Sequence, residues 1–204
     1  MLAKRKPTDA DKEAWIAFTW KRCWMFDVQG TAKAEAILET FEYAYKRYGV
    51  THFLIDSLAK CGIAEDDYGK QKDFVDRLSD FARNNDVQVH LVCHTRKGVT
   101  EADTPGKFDI KGTGALTDMV DNVFTVWRNK PKEEKVEAYM ESSFFGGASP
   151  EQEKEYQDVA KEHDCLLSCV KSREGEWEGQ IALWFDRDSL QYLEYHDSKP
   201  IRYC

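Results

Sequence analysis

Residues 52–58 read HFLIDSL, and the reading of this stretch decides the fold. Phe53, Leu54 and Ile55 form a short apolar run that ends in Asp56 and Ser57. Such a run is the pattern of a buried strand. In a parallel sheet, a carboxylate at its C-terminal end lies beside the ligand crevice. This is the pattern of a Walker B strand, whose Asp holds the water shell of a magnesium ion beside nucleotide phosphates. Taken alone, the run also suits a buried strand whose last Asp caps the next turn.

Outward from this strand, apolar runs alternate with helical patterns. Upstream, Thr31–Tyr48 carries Ala34, Ile37, Leu38, Phe41 and Tyr45 at helical spacing and closes at Gly49. Arg22–Asp27 (RCWMFD) reads as an earlier strand. Downstream, Lys70–Asn85 is a second amphipathic helix with Phe74, Leu78, Phe81 and Ala82 on one stripe, and Val87–His94 is a third strand. This alternation predicts an α/β domain with a mostly parallel sheet flanked by helices.

A loop of about fifteen residues follows, expected to lack secondary structure, and loops of that length are usually functional or disordered. It leads into Lys111-Gly112-Thr113-Gly114, a short helix over Leu116–Val120 and a fourth strand over Asn122–Arg128. Lys130–Glu162 is charged and interrupted by FFGGASP, so it reads as an excursion with a helix from about Pro150. Cys165–Lys171 and Gln180–Asp186 predict an antiparallel hairpin, and Leu190–Tyr195 an edge strand.

Composition bounds the function. With 204 residues, 42% hydrophobic and 32% charged, the chain suits one globular domain. No apolar run reaches the roughly 18 residues that span a bilayer. The start, MLAKRKPTDADKEAW, lacks the apolar core of a secretory signal, so a cytoplasmic protein with no membrane partner is expected. Of the six cysteines, Cys93, Cys165 and Cys169 lie in apolar runs and are expected to be reduced thiols. His163, Cys165 and Cys169 lack zinc-ligand spacing. The net charge of −8 argues against a generally basic nucleic-acid binder. However, residues 131–164 hold four lysines against ten acidic residues, a net of −6, leaving about −2 for the rest. Charge therefore removes DNA from the excursion alone.

Several groups could carry chemistry. His94 ends the strand VQVHLVCH, where an imidazole can hydrogen-bond a phosphate or serve simply as a structural strand-end histidine. Arg96, Lys97 and Lys111 surround the glycine-rich turn, where cations can track a nucleic-acid backbone or merely face solvent. The turn lacks the lysine–hydroxyl pair of a P-loop and follows the Walker B strand instead of preceding it. Lys171 and Arg173, two apart on a strand, project to one side and can clamp a transferring phosphoryl group or form a solvated strand end.

The order of these elements is more specific than any one of them. Walker B strand, helix, His-ended strand, basic loop, K-G-T-G-A-L helix, a strand ending W-R-N, and K-S-R together resemble the hexameric replicative helicases. This is the DnaB-like group that includes the bacteriophage primase-helicases and the Twinkle helicase, with a RecA-like fold. The resemblance spans roughly Arg22 to Glu194, apart from the excursion. It implies a DNA-replication ATP hydrolase, using ATP or another NTP with Mg2+, that translocates on single-stranded DNA as a ring hexamer. Asp56 then resembles the magnesium-associated acid, with Ser57 beside it, and His94 the γ-phosphate sensor. Arg96, Lys97, Lys111, Gly112, Thr113 and Gly114 resemble the channel loops that grip single-stranded DNA. Lys171 and Arg173 resemble the finger pair reaching a neighbouring subunit's nucleotide. Arg128 and, more weakly, Phe185 resemble the groups flanking the nucleotide base.

The family pattern also requires G-x-x-x-x-G-K-[ST] ahead of Walker B, and these residues contain none. The family's catalytic Glu is not assignable either. The expectation is thus one partial RecA-like domain over residues 1–204, resembling the C-terminal part of a helicase and inactive alone. Without the central P-loop strand, Val87–His94 or Asn122–Arg128 is expected to pair unusually, with each other or with a second chain. Two other readings remain: a non-catalytic DNA-binding or interaction module derived from such a helicase, and a RecA-type recombinase relative. The K-G-T-G-A-L and K-S-R segments favour the helicase branch over the recombinase.

Overall fold

The computed structural model describes residues 8–28, 30–96, 102–112, 114–144, 147 and 149–201. Its helices are α1 (Asp9–Thr19), α2 (Ala34–Tyr48), α3 (Tyr68–Asn85), α4 (Gly114–Met119), α5 (Lys130–Phe144) and α6 (Pro150–Ala160). Its strands are β1 (His52–Asp56), β2 (Gln88–Val92), β3 (Asn122–Arg128), β4 (Cys165–Ser172), β5 (Gly179–Asp186) and β6 (Gln191–Leu193). The α/β class holds.

The sheet is divided. β1 and β2 pair in parallel, with Asp56 opposite Val92, while β3-β4-β5-β6 form a separate antiparallel sheet. The expected mostly parallel sheet is therefore corrected: its parallel part is two strands. The reason lies in the connections. Parallel pairing needs a crossover, which α3 supplies between β1 and β2. Between β3 and β4 the chain instead goes out along α5 and back along α6, and β4 returns antiparallel.

The main core lies on one face of the β1-β2 pair. Phe53 and Ile55 pack with Ile37 and Phe41 of α2, Phe74, Leu78 and Phe81 of α3, and Leu116 of α4. The rings of Phe41 and Phe53 lie 4.4 Å apart, and those of Phe53 and Phe81 5.3 Å. α2 stops at Gly49, whose φ of 66° lies in the left-handed region that favours glycine. Leu54, on the other face, is 67% exposed. Parallel strands normally read as apolar runs because both their faces are covered. Here the run FLI exists, but among the described residues only one of its faces is covered.

Neither β2 nor β3 has a strand on its second edge among the described residues, and the two do not pair with each other. Phe124 and Val126 of β3 are also exposed. The accessible surface is 15395 Å² for 23.6 kDa, against the roughly 9,800 Å² that a compact monomer of this mass presents. Both edges and both uncovered faces contribute to that excess.

Other local expectations shift. Arg22–Asp27 forms no strand, because among the described residues no neighbouring strand supplies ladder partners. Trp24 instead stacks on Tyr48 at 5.5 Å, and Met25 and Phe26 are exposed. The loop after β2 contains a short 3-10 turn over Lys107–Asp109. The excursion is a helical hairpin in which Tyr139 stacks on Tyr156 at 4.2 Å. It is fastened to the sheet by Lys132, 7% exposed, whose ammonium meets the Asp164 carboxylate at 2.7 Å and donates to the Glu162 carbonyl.

Candidate functional site

Asp56 and His94 come to one rim because parallel pairing aligns the C-terminal ends of β1 and β2. Asp56 ends β1 and is exposed; His94 lies two residues past the end of β2. Between them Ser57 is buried, and its Oγ lies 3.3 Å from His94 Nε2, so one hydrogen bond orients the imidazole. Behind this rim lie two thiols. Cys61 Sγ donates to the Ser57 carbonyl at 3.6 Å. Burial pushes both the Cys61 and Cys93 thiols up to about 11, with Cys93 adding to the shift at Cys61.

His94 is joined directly to the glycine-rich loop. The Lys111 amide donates to the His94 carbonyl at 2.7 Å, and the Arg96 amide to the Asp109 carbonyl at 2.7 Å, around an antiparallel bridge between Thr95 and Ile110. The Arg96 guanidinium reinforces the join by donating to the carbonyls of Ile110 at 3.1 Å and Gly112 at 2.9 Å. Arg96 is thus partly spent on shaping the loop. Lys111 is also engaged: its ammonium meets Glu65 at 2.6 Å. Lys97 and Thr113 lie outside the described residues.

The glycine at 112 is a geometric requirement. Its φ of 126° belongs to glycine, and a Cβ there would meet Leu116 Cδ1 at 2.6 Å and Gln71 Oε1 at 3.0 Å. Gln71, 4% exposed, donates through Nε2 to the carbonyls of Ala64 and Glu65, while its buried Oε1 has no partner. Gly114 opens α4 and is exposed.

Lys171 and Arg173 converge on the other end of α4. The Lys171 ammonium donates to the carbonyls of Thr117 (2.7 Å), Asp118 (3.0 Å) and Val120 (2.8 Å). Arg173 donates to Asp121 Oδ1 at 2.9 Å and to the Asp118 carbonyl at 2.9 Å. Arg128 and Phe185 are brought to the far end of the antiparallel sheet. Arg128 forms a two-pronged pair with Glu133 at 2.7 and 2.6 Å, which raises its already high pKa. Phe185 packs on Tyr192 at 5.0 Å. Tyr192 is held above its ordinary pKa by burial first, while the Arg128 charge works against that shift, so Arg128, Tyr192 and Phe185 form one neighbourhood.

Sequence reasoning missed Glu65, Gln71, Asp118 and Asp121. Glu65 lies 46 residues from Lys111, and no local spacing joins them. For Gln71 a signal existed: an amide on the apolar stripe of α3, in step with Phe74 and Leu78.

A magnesium nucleotide is met by only part of a site. Asp56 offers an exposed carboxylate for a hydrated cation, and Ser57 and His94 offer polar atoms to a phosphate. Among the described residues no group of three or more His, Cys, Asp or Glu side chains is placed to hold a metal ion. No helix of the described residues is long and apolar enough to cross a membrane. The chain matches no protein-family model, and no curated protein matches it.

Proposed function

We propose that this chain is the DNA-gripping portion of an ATP-dependent replicative helicase motor of the DnaB-like kind, built on a RecA-like core. Asp56, Ser57 and His94 form the γ-phosphate side of a nucleotide site, with Mg2+ held through water by Asp56. The cradle for the remaining phosphates comes from polypeptide outside these 204 residues. Arg96 and the 111–114 loop hold single-stranded DNA, and Arg128 and Phe185, at the far end of the antiparallel sheet, take no part in the nucleotide site. Arg173 serves a neighbouring subunit's nucleotide in a ring.

The observation that carries this reading is the direct backbone hydrogen bond from Lys111 to His94. A change of His94 on meeting a phosphate is passed to the Lys111 loop without an intermediate side chain. The unpartnered edges of β2 and β3 and the bare face at Leu54 add support, since a nucleotide-binding strand with its helix would cover them.

The chain's own residues then do three things. They orient the imidazole through Ser57, present a carboxylate to a hydrated cation, and set a cationic loop at a fixed distance from both. The test is binding to a labelled oligothymidylate. The chain binds it, and Lys111→Ala weakens the affinity and lowers the salt slope by up to about 0.7. Equal affinity and slope in the variant would reassign the loop as a structural turn.

A further inference from the structure

We infer that Lys171 is a positioning residue for the DNA-gripping loop and not a group that reaches phosphate. The proposal rests on the reading above. An ammonium has three N–H donors and no acceptor. Each of the three on Lys171 meets a carbonyl at the C-terminal end of α4, at 2.7, 3.0 and 2.8 Å. The last four carbonyls of any helix lack internal partners, and a cation there also meets the negative end of the helix dipole. No donor is left for a phosphate.

The need for such a clamp is visible in α4 itself. It has six residues, too few to hold together by its own hydrogen bonds. Its N-terminal end carries the glycine-rich turn, and its Leu116 is buried in the main core. Lys171 lies on β4, opposite Val123 of β3, and so ties α4 to the antiparallel sheet. The loop is thereby fixed from two directions: Arg96 and His94 hold residues 110–112 from the β2 side, and Lys171 holds residues 117–120 from the β4 side.

Arg173 is different. It uses two donors, one of them on the exposed Asp121 carboxylate, and retains others on a guanidinium that has five. The K-S-R pair thus divides its work: Lys171 is an internal clamp, and Arg173 alone is able to reach outward.

The test compares Lys171→Met, which keeps the apolar stem, with Lys171→Arg, which keeps donors. Oligothymidylate affinity is measured across salt well below the unfolding temperature, alongside amide hydrogen exchange. In Lys171→Met, amides of residues 114–121 exchange faster while those of α3 do not. Affinity falls about tenfold, as expected when hydrogen bonds from a charged group are lost, and the salt slope is unchanged. Lys171→Arg restores affinity and protection. Should Lys171→Met fail to fold, Lys171→Gln, which keeps a shorter polar side chain at the same position, is read by the same two measurements. A salt slope lowered by about 0.7 with unchanged exchange at 114–121 overturns the proposal, because Lys171 then touches phosphate itself. Faster exchange with full affinity also overturns it. If the unaltered chain binds no oligothymidylate, the functional reading fails, while the exchange data still decide whether the clamp exists.

Discussion

Replacing Glu65 with Gln should strengthen single-stranded DNA binding. In the free chain Glu65 occupies Lys111 at 2.6 Å, so a DNA phosphate must displace a carboxylate. The two side chains are 43% and 68% exposed, which places the pair among screened surface ion pairs. Such pairs contribute at most about 1 kcal/mol, so freeing Lys111 raises affinity by no more than about fivefold. The salt slope should change as well. In the native chain the Glu65 freed on binding takes up a cation, which offsets part of the counterion release from the phosphate that Lys111 neutralises. In Glu65→Gln that uptake is absent, so the slope steepens by a fraction of the roughly 0.7 that one phosphate contributes. The gain is greatest at low salt and fades toward 1 M, where charges more than about 3 Å apart are screened. Fluorescence anisotropy of a labelled oligothymidylate, titrated from low to high salt, reads both quantities. Unchanged or weaker binding with an unchanged slope would refute the reasoning, because Lys111 would then not be exchanging one anion for another.

Two further outcomes concern the body of the fold. Lys132→Met leaves the Asp164 carboxylate without its ammonium, and breaking a buried ion pair costs about 3 kcal/mol. For a chain of this length that lowers the thermal midpoint by roughly 6–12 °C, and a fall of under 2 °C would contradict the clasp between the α5–α6 hairpin and the sheet. Cys61 and Cys93, pushed up to about 11, should stay protonated and resist iodoacetamide at pH 8, while exposed Cys23 reacts. Because their folded values are raised, the stabilisation they give is whole below the ordinary thiol pKa of about 8.5 and is lost as pH rises toward 11. Mass spectrometry showing equal alkylation of all three would contradict that burial.

The parts of the molecule legible in the sequence are those set by local chemistry. Asn122–Arg128 is the strand expected, and α2, α3 and the hairpin of β4 and β5 fall within a few residues of their expected limits. Apolar spacing and Gly49 were enough to place them. The split of the sheet was not legible, since strand order depends on partners that no spacing records. Arg22–Asp27 shows this most clearly: its composition suits a strand, yet among the described residues it has no strand to pair with. At the candidate site, the strand-end position of Asp56 and His94 followed from the runs FLI and HLV. The engagement of the basic groups did not. Arg96, Lys111, Lys171, Arg173 and Arg128 all read as cations available to phosphates. In the folded chain each is held by carbonyls or carboxylates, of which only Glu133 lies near its cation in sequence.

The central claim is that a loop coupled to His94 grips the backbone of a DNA strand. The most direct measurement is the affinity of the unaltered chain for oligothymidylate and for a duplex of equal length, each across a range of salt. The account predicts tighter binding of the single strand, with log affinity falling linearly as log salt rises. A chain of net charge −8 that bound neither form at low salt, or bound both alike without salt dependence, would contradict it.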